Sequence, residues 1–196
     1  MLLNALAGQK WLEPFYLVGG TALALQIGHR ISVDFDFFSA DEFDSQKVIS
    51  LLSDIGEFKL FEQARDTIHG SLDGVKLSFL RYRYPVLRPL HTLHLLKLAD
   101  IYDVALMKLS AISGRGAKKD FIDFYFLLQR FSLKELLTAF SAKYGEEQGH
   151  RYHLLKSLVY FRDAENEPMP YMIQPIEWAE VKHFMVQKVK EIGLFK

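Results

Sequence analysis

Residues 16–38, YLVGGTALALQIGHRISVDFDFF, decide how this chain of 196 residues is read. A short apolar run ends at Gly19-Gly20. Next come Thr21 and a helical segment, then Gly28, the basic pair His29-Arg30, and a run carrying Asp34 and Asp36. Glycines between a strand and a helix let backbone N–H groups approach a phosphate, and a helix N-terminus favours negative charge. An ordinary tight turn with a Thr cap has the same letters. The two aspartates shift the reading towards chemistry. Residues i and i+2 of a strand share a face, about 6–7 Å apart, so Asp34 and Asp36 are expected together while Val33, Phe35 and Phe37 face the core. Like charges that close repel unless a cation lies between them. Mg²⁺ takes one or two carboxylates plus substrate phosphates. The alternative is a solvent-facing strand edge, where Asp is disfavoured. Arg30 can approach a phosphate or neutralise the aspartates; His29 can do the same or fill a turn.

Outward from this stretch, the punctuation sets the elements. Residues 2–12 read as a short helix closed by Pro14, and 15–18 as a buried strand. Thr21 is expected to cap the helix over ALALQI, which Gly28 stops. A second strand is expected over 33–38. Asp44 is placed to cap a helix that Gly56 ends. Weaker strand signals cover 58–65 and 68–72, and Asp73-Gly74 is a strong hairpin signal leading into VKLSFLRY. Pro85 and Pro89 interrupt the stretch beyond it. From about Leu98 the texture turns helical, over roughly 100–112, 118–131, 132–144, 150–161 and 176–192. The expected fold class is α+β. A small mixed sheet with flanking helices (1–98) precedes a helical lobe (99–196) that completes the site.

Bulk properties bound the function. Hydrophobic residues make up 49%, with 16 Phe and 9 Tyr, so the chain packs a core. With no Cys, disulfides and thiolate metal sites are excluded, and any metal takes oxygen or imidazole ligands. Lys plus Arg balances Asp plus Glu at 24 each, which argues against a general coat for long nucleic acid. A small nucleotide or one end of an RNA remains compatible. The N-terminus lacks a basic leader, and no run approaches the roughly 20 apolar residues of a membrane span. A cytoplasmic protein without a membrane partner is the expectation.

A further constellation lies in DIYDVALMKLSAISGRGAKKDFIDFYFLL, residues 100–128. Ile101, Ala105, Lys108 and Ile112 fall on one helical stripe, so Lys108 stands where an apolar residue belongs, unless it snorkels. The next helix is apolar almost all round, yet carries Asp120 and Asp123 at i, i+3. Buried carboxylates need partners, and Lys108, Arg115, Lys118 and Lys119 are nearest in sequence. A structural ion-pair network and a rim gripping a triphosphate are both open. RYRYPVLR, residues 81–88, interleaves Arg and Tyr as a base-stacking segment does, and also as an ordinary hairpin strand does.

The ordered set GGTALALQ, HRISVDFDFF, GVKLSFLRY and DVALMKLSAISGRGAKKDFIDFYFLL resembles the AbiEii/AbiGii group of nucleotidyltransferase-like toxins from bacterial abortive-infection and toxin–antitoxin systems. The resemblance covers about residues 15–130. It implies a polymerase-beta-like nucleotidyltransferase fold, with Gly19, Gly20 and Thr21 at the triphosphate and Asp34 and Asp36 on Mg²⁺. Lys108 matches the motif lysine, read as a triphosphate or nucleobase contact, and Asp120 the late acidic motif. Arg30, Arg115 and Asp123 join the nucleotide-binding set. The family implies transfer of a nucleotide from a nucleoside triphosphate to RNA, in some members a tRNA acceptor end, and a cognate antitoxin protein.

One position departs from the pattern. Many nucleotidyltransferases of this fold carry a third carboxylate on a neighbouring strand, where this chain has Ser78 between Lys76 and Leu80. A serine is no base at neutral pH. Asp120 or Asp123 then replaces it, or activity is weak, or the fold is kept for binding a nucleotide or protein partner. A phosphatase using DFDFF as a D-x-D nucleophile motif is the rival enzyme, disfavoured by the Gly-Gly-Thr upstream. The expectation is a Mg²⁺-dependent nucleotidyltransferase toxin.

Overall fold

A computed structural model describes residues 2–145 and 151–193. The chain divides into two compact units: residues 1–22 with 32–100, and residues 23–31 with 101–196.

The first unit is built on a seven-stranded mixed sheet. Its strands are β1 (Tyr16–Val18), β2 (Phe35–Ser39), β3 (Phe58–Ala64), β4 (Thr67–Leu72), β5 (Val75–Arg81), β6 (His91–Leu93) and β7 (Leu96–Leu98), in the order β3-β4-β5-β2-β1-β7-β6. β2 runs parallel to β5 and β1 parallel to β7; the other pairs are antiparallel. Period-two alternation sorts the side chains. Leu98, Leu17, Phe37, Phe79 and Ile68 form one cross-strand row on the core face. Phe37 and Phe79 stack at 5.0 Å. Onto this face pack α1 (Leu2–Ala7), a 3-10 turn (Lys10–Leu12) and α3 (Ser45–Ser53), through Leu6, Leu12, Val48 and Leu52. Asp44 caps α3 by accepting from the N–H groups of Gln46 and Lys47. Asp73 and Gly74 both take positive φ in the β4–β5 turn, as a type I′ hairpin requires.

Two expectations change here. The ladder of β2 begins at Phe35, opposite Leu77, so Val33 lies before the sheet and is 65% exposed instead of facing the core. Also, α2 (Gly19–Ile27) starts three residues earlier than expected, which puts Thr21 within its first turn and not at the cap. The β6–β7 hairpin was not expected at all. Its turn residues His94 and Leu95 both have positive φ without a Gly, Asn or Asp.

The second unit contains the rest of α2, the 28–31 segment, and α4 (Ile101–Gly114), α5 (Lys118–Leu128), α6 (Leu133–Tyr144), α7 (Arg151–Ser157) and α8 (Trp178–Glu191). Gly28 ends α2 with φ +62, the left-handed geometry that favours glycine. α5 is buried along its length except at Lys119, as its nearly all-round apolar sequence demands. Phe121 packs tilted against Phe161 and edge-on against Trp178, and Tyr125 edge-on against Phe184 of α8. Among the described residues, no helix is long and apolar enough to cross a membrane.

Candidate active site

In the first unit, the face of the sheet opposite the core carries the chemistry. Val18, Asp36 and Ser78 are directly opposed on β1, β2 and β5. Ser78 is buried, and its hydroxyl donates to Asp36 Oδ1 at 2.5 Å. The other oxygen, Asp36 Oδ2, lies against the start of α2, where a Cβ built on Gly19 would stand 2.8 Å away. Gly19 also has φ +67. Both facts call for glycine, so the first glycine of the motif admits the Asp36 carboxylate to the helix N-terminus. The first-turn N–H groups of a helix have no carbonyl partner within it and favour negative charge.

Thr21 is 4% exposed, and its hydroxyl donates to the carbonyl of Asp34 and lies 3.0 Å from Ser32 Oγ. The bond ties the segment before β2 to the first turn of α2. Asp34 precedes the ladder and, like Asp36, is half-buried.

A metal suits this donor set. Two half-buried carboxylates two residues apart in the chain are hard oxygen ligands, and no group of three or more His, Cys, Asp or Glu able to hold a metal exists among the described residues. A site offering two carboxylates, with other positions left to substrate oxygens and water, fits Mg²⁺ and not zinc.

The second unit gathers the remaining residues singled out in the sequence. Asp123 is fully buried and is the centre of a network. Arg30 forks onto it, Nε to Oδ1 at 2.6 Å and a terminal nitrogen to Oδ2 at 2.9 Å. His29 Nε2 lies 2.7 Å from Oδ1 and Lys108 Nζ 2.5 Å from Oδ2. Asp120, also fully buried, accepts from Lys108 Nζ at 2.8 Å and from Arg115 Nε at 2.8 Å. Lys108 is 5% exposed, so it does not snorkel.

Burial is the largest influence on Asp120, Asp123 and Lys108 and disfavours the charge of each. For Asp120, Lys108 and Arg115 outweigh that and hold the carboxyl below its usual range. Lys108, Arg30 and His29 do the same to Asp123, more strongly. Between the two carboxylates, the Lys108 ammonium stays above its ordinary value despite its burial. Arg115 alone of these cations is largely exposed, at 62% of its side chain. It borders a cleft of about 310 Å³ lined also by Gly114, Gly116, His153, Lys156 and Tyr160.

Pattern reading did not reach a second buried ion pair, Lys143 to Asp103 at 2.6 Å. Lys118, expected as a cation near Asp120 and Asp123, is buried, lies over Trp178 and donates instead to the carbonyls of Glu165 and Glu167. Asp103 and Lys143 carry ordinary helix-surface letters, and only the packing of α6 on α4 brings them together.

Comparison with known proteins bears on both units. The family model described as nucleotidyl transferase AbiEii toxin, type IV toxin–antitoxin system, matches residues 2–94 and 91–191. An uncharacterized protein of Aquifex aeolicus (strain VF5) is 42% identical over 185 residues, covering 90% of this chain and 87% of the relative. Among solved structures, MenT4, a nucleotidyltransferase toxin of Mycobacterium tuberculosis, superposes with a TM-score of 0.60 at 14% identity, over 100% of this chain and 82% of that one. JHP933 of Helicobacter pylori gives 0.59 at 17% identity, over 97% and 87%. These structures share the fold.

Proposed function

This chain belongs to the AbiEii nucleotidyl transferase toxin family, and from that premise we propose that it moves a nucleoside monophosphate from a nucleoside triphosphate to a hydroxyl of RNA, with Mg²⁺ as its metal. The observation that carries the reading is the approach of Asp36 Oδ2 to Gly19. It sets a metal-type carboxylate beside a helix N-terminus suited to phosphate, the two parts nucleotidyl transfer needs.

Asp34 and Asp36 hold Mg²⁺, which when bound neutralises charge developing on the transferring phosphate. The backbone N–H groups of Gly20 and Thr21 orient the triphosphate. The Thr21 hydroxyl braces Asp34 through its carbonyl, and Ser78 fixes the rotamer of Asp36. Lys108, Asp120, Asp123 and Arg30 hold the second unit together and fix Arg115. Arg115 and Lys156 bring two cations to a cleft of that unit that Asp163 also lines, and these cations suit a phosphate. The reading extends to the growth-blocking half of a toxin–antitoxin or phage-defence pair in the cytoplasm, with an antitoxin protein as partner.

The test is incubation of the protein with each α-labelled nucleoside triphosphate, Mg²⁺ and total RNA. Label joined to RNA, and lost on chelation, is the expected result. Absence of transfer with all four nucleotides would overturn the reading.

A further inference from the structure

We propose that His69 is the catalytic proton acceptor for the attacking hydroxyl and that Glu62 is its positioning residue. This inference rests on the nucleotidyl transfer proposed above and adds the group that takes the proton.

β5 brings no carboxylate to the reactive face, since Lys76, Ser78 and Leu80 are its residues there. Asp120 and Asp123 are poor proton acceptors, because both are spent on cations, which hold each below the usual carboxylate range. The strand register supplies another base. Asp36 is opposite Ser78, Ser78 is opposite His69, and His69 is opposite Glu62. Directly opposed residues share a face, so these four side chains form one polar row across β2, β5, β4 and β3. The alternation of β4 agrees: Ile68 and Leu72 enter the core, which turns Thr67, His69 and Ser71 to the other side.

Ser78 is buried and spent on Asp36. His69, half-buried, is the next side chain outward. Its Cα lies two strand spacings from that of Asp36, about 10 Å. An acceptor hydroxyl between an imidazole and a phosphate held at Asp36 fits that gap. Imidazole is the side chain whose ordinary proton affinity suits acceptance near neutral pH.

β3 is irregular at this row. A bulge falls between Leu60 and Glu62. An uninterrupted ladder, with Leu60 opposite Gly70, would set Phe61 opposite His69. The extra residue brings Glu62 there instead, and bulges beside active sites commonly re-aim a side chain. Directly opposed residues have Cβ atoms about 5 Å apart, so the Glu62 carboxylate has the reach to orient the imidazole; a phenyl ring cannot.

In the step, the acceptor oxygen forms its bond to the α-phosphorus as its O–H bond breaks. The proton passes to an unprotonated ring nitrogen of His69. The α–β bridging oxygen leaves with its bonding pair as pyrophosphate. The imidazolium then yields the proton to solvent.

The full chain, a labelled nucleoside triphosphate, Mg²⁺ and RNA test this. His69→Ala should lower kcat by roughly 10²–10⁴-fold, leave the nucleotide KM unchanged, and recover rate when free imidazole is added. Glu62→Gln should lower kcat less, again at constant KM, and Glu62→Asp should restore most of it. Should His69→Ala not fold, His69→Gln is measured in its place. A folded His69 variant with wild-type kcat overturns the proposal while leaving nucleotidyl transfer intact, and so does a rate loss that imidazole fails to relieve. A wild-type chain that transfers no nucleotide overturns both.

Discussion

Gly19 and Asp36 are in contact by necessity: the position of a Cβ on Gly19 is 2.8 Å from Asp36 Oδ2, and the glycine backbone has φ +67. The glycine is therefore part of the site and more than a turn former. Gly19→Ala should cost about 1–2 kcal/mol from the left-handed backbone alone and push the carboxylate aside. Transfer activity should fall much further than thermal stability. Equal activity at a lowered Tm would show that Asp36 has room to move.

Asp36→Asn keeps an oxygen to accept from Ser78, so the fold should survive with little change in Tm. Losing the anionic metal ligand should remove several kcal/mol of transition-state stabilisation, a rate loss of roughly 10²–10⁴-fold at about 1.4 kcal/mol per decade. Transfer assays beside thermal unfolding measure both. Wild-type rates in a folded variant would exclude Asp36 as a ligand.

Asp123→Ala acts on stability. It leaves Arg30 and Lys108 buried without their shared carboxylate, and removing one partner from a buried network costs about 3–5 kcal/mol. Urea unfolding should show the midpoint fall, with the loss seen first in probes near Trp178. A change below about 1 kcal/mol would mean that water reaches the network.

The same network fixes the pH response. Asp120 and Asp123 are depressed below their ordinary value of 3.8, so their contribution is complete above about pH 4 and is lost as pH falls towards the folded values. Lys108 is raised above 10.5, so its contribution is complete below that value and is lost as pH climbs past the folded one. Tm measured across the acid and alkaline ranges should be insensitive to these groups between about pH 4 and about pH 10 and decline on either side. A steep change near about pH 6 would assign control to histidines instead.

Local signals carried much of the fold. The Asp44 cap, the Gly28 stop and the Asp73-Gly74 turn each place an element boundary because one residue type answers one backbone need. The β6–β7 hairpin escaped because His94 and Leu95 adopt positive φ without a residue suited to it. Val33 misled because alternation has no marker for where a ladder begins; the pairing of Phe35 with Leu77 decides that. In the candidate site, Lys108 was visible as a cation on an apolar stripe, yet its partnership with Arg30 through Asp123 spans 93 residues of chain. His69 and Glu62 carry no motif, and only strand register aligns them with Asp36.

The position of Arg30 in the chain has a consequence for how the protein is made. His29 and Arg30 leave the ribosome long before Asp123 does, with most of the first unit synthesised between them. Until Asp123 emerges, the carboxylate that both bases share in the folded unit is not yet made. Closing a loop of this length carries an entropic cost that grows only slowly with its size, so the delay is one of sequence order and not of distance. The second unit therefore cannot mature as an independent C-terminal piece. A nascent chain halted before residue 123 should hold residues 23–31 undocked, and a chain begun at residue 101 should keep Lys108 beside Asp123 but lack His29 and Arg30.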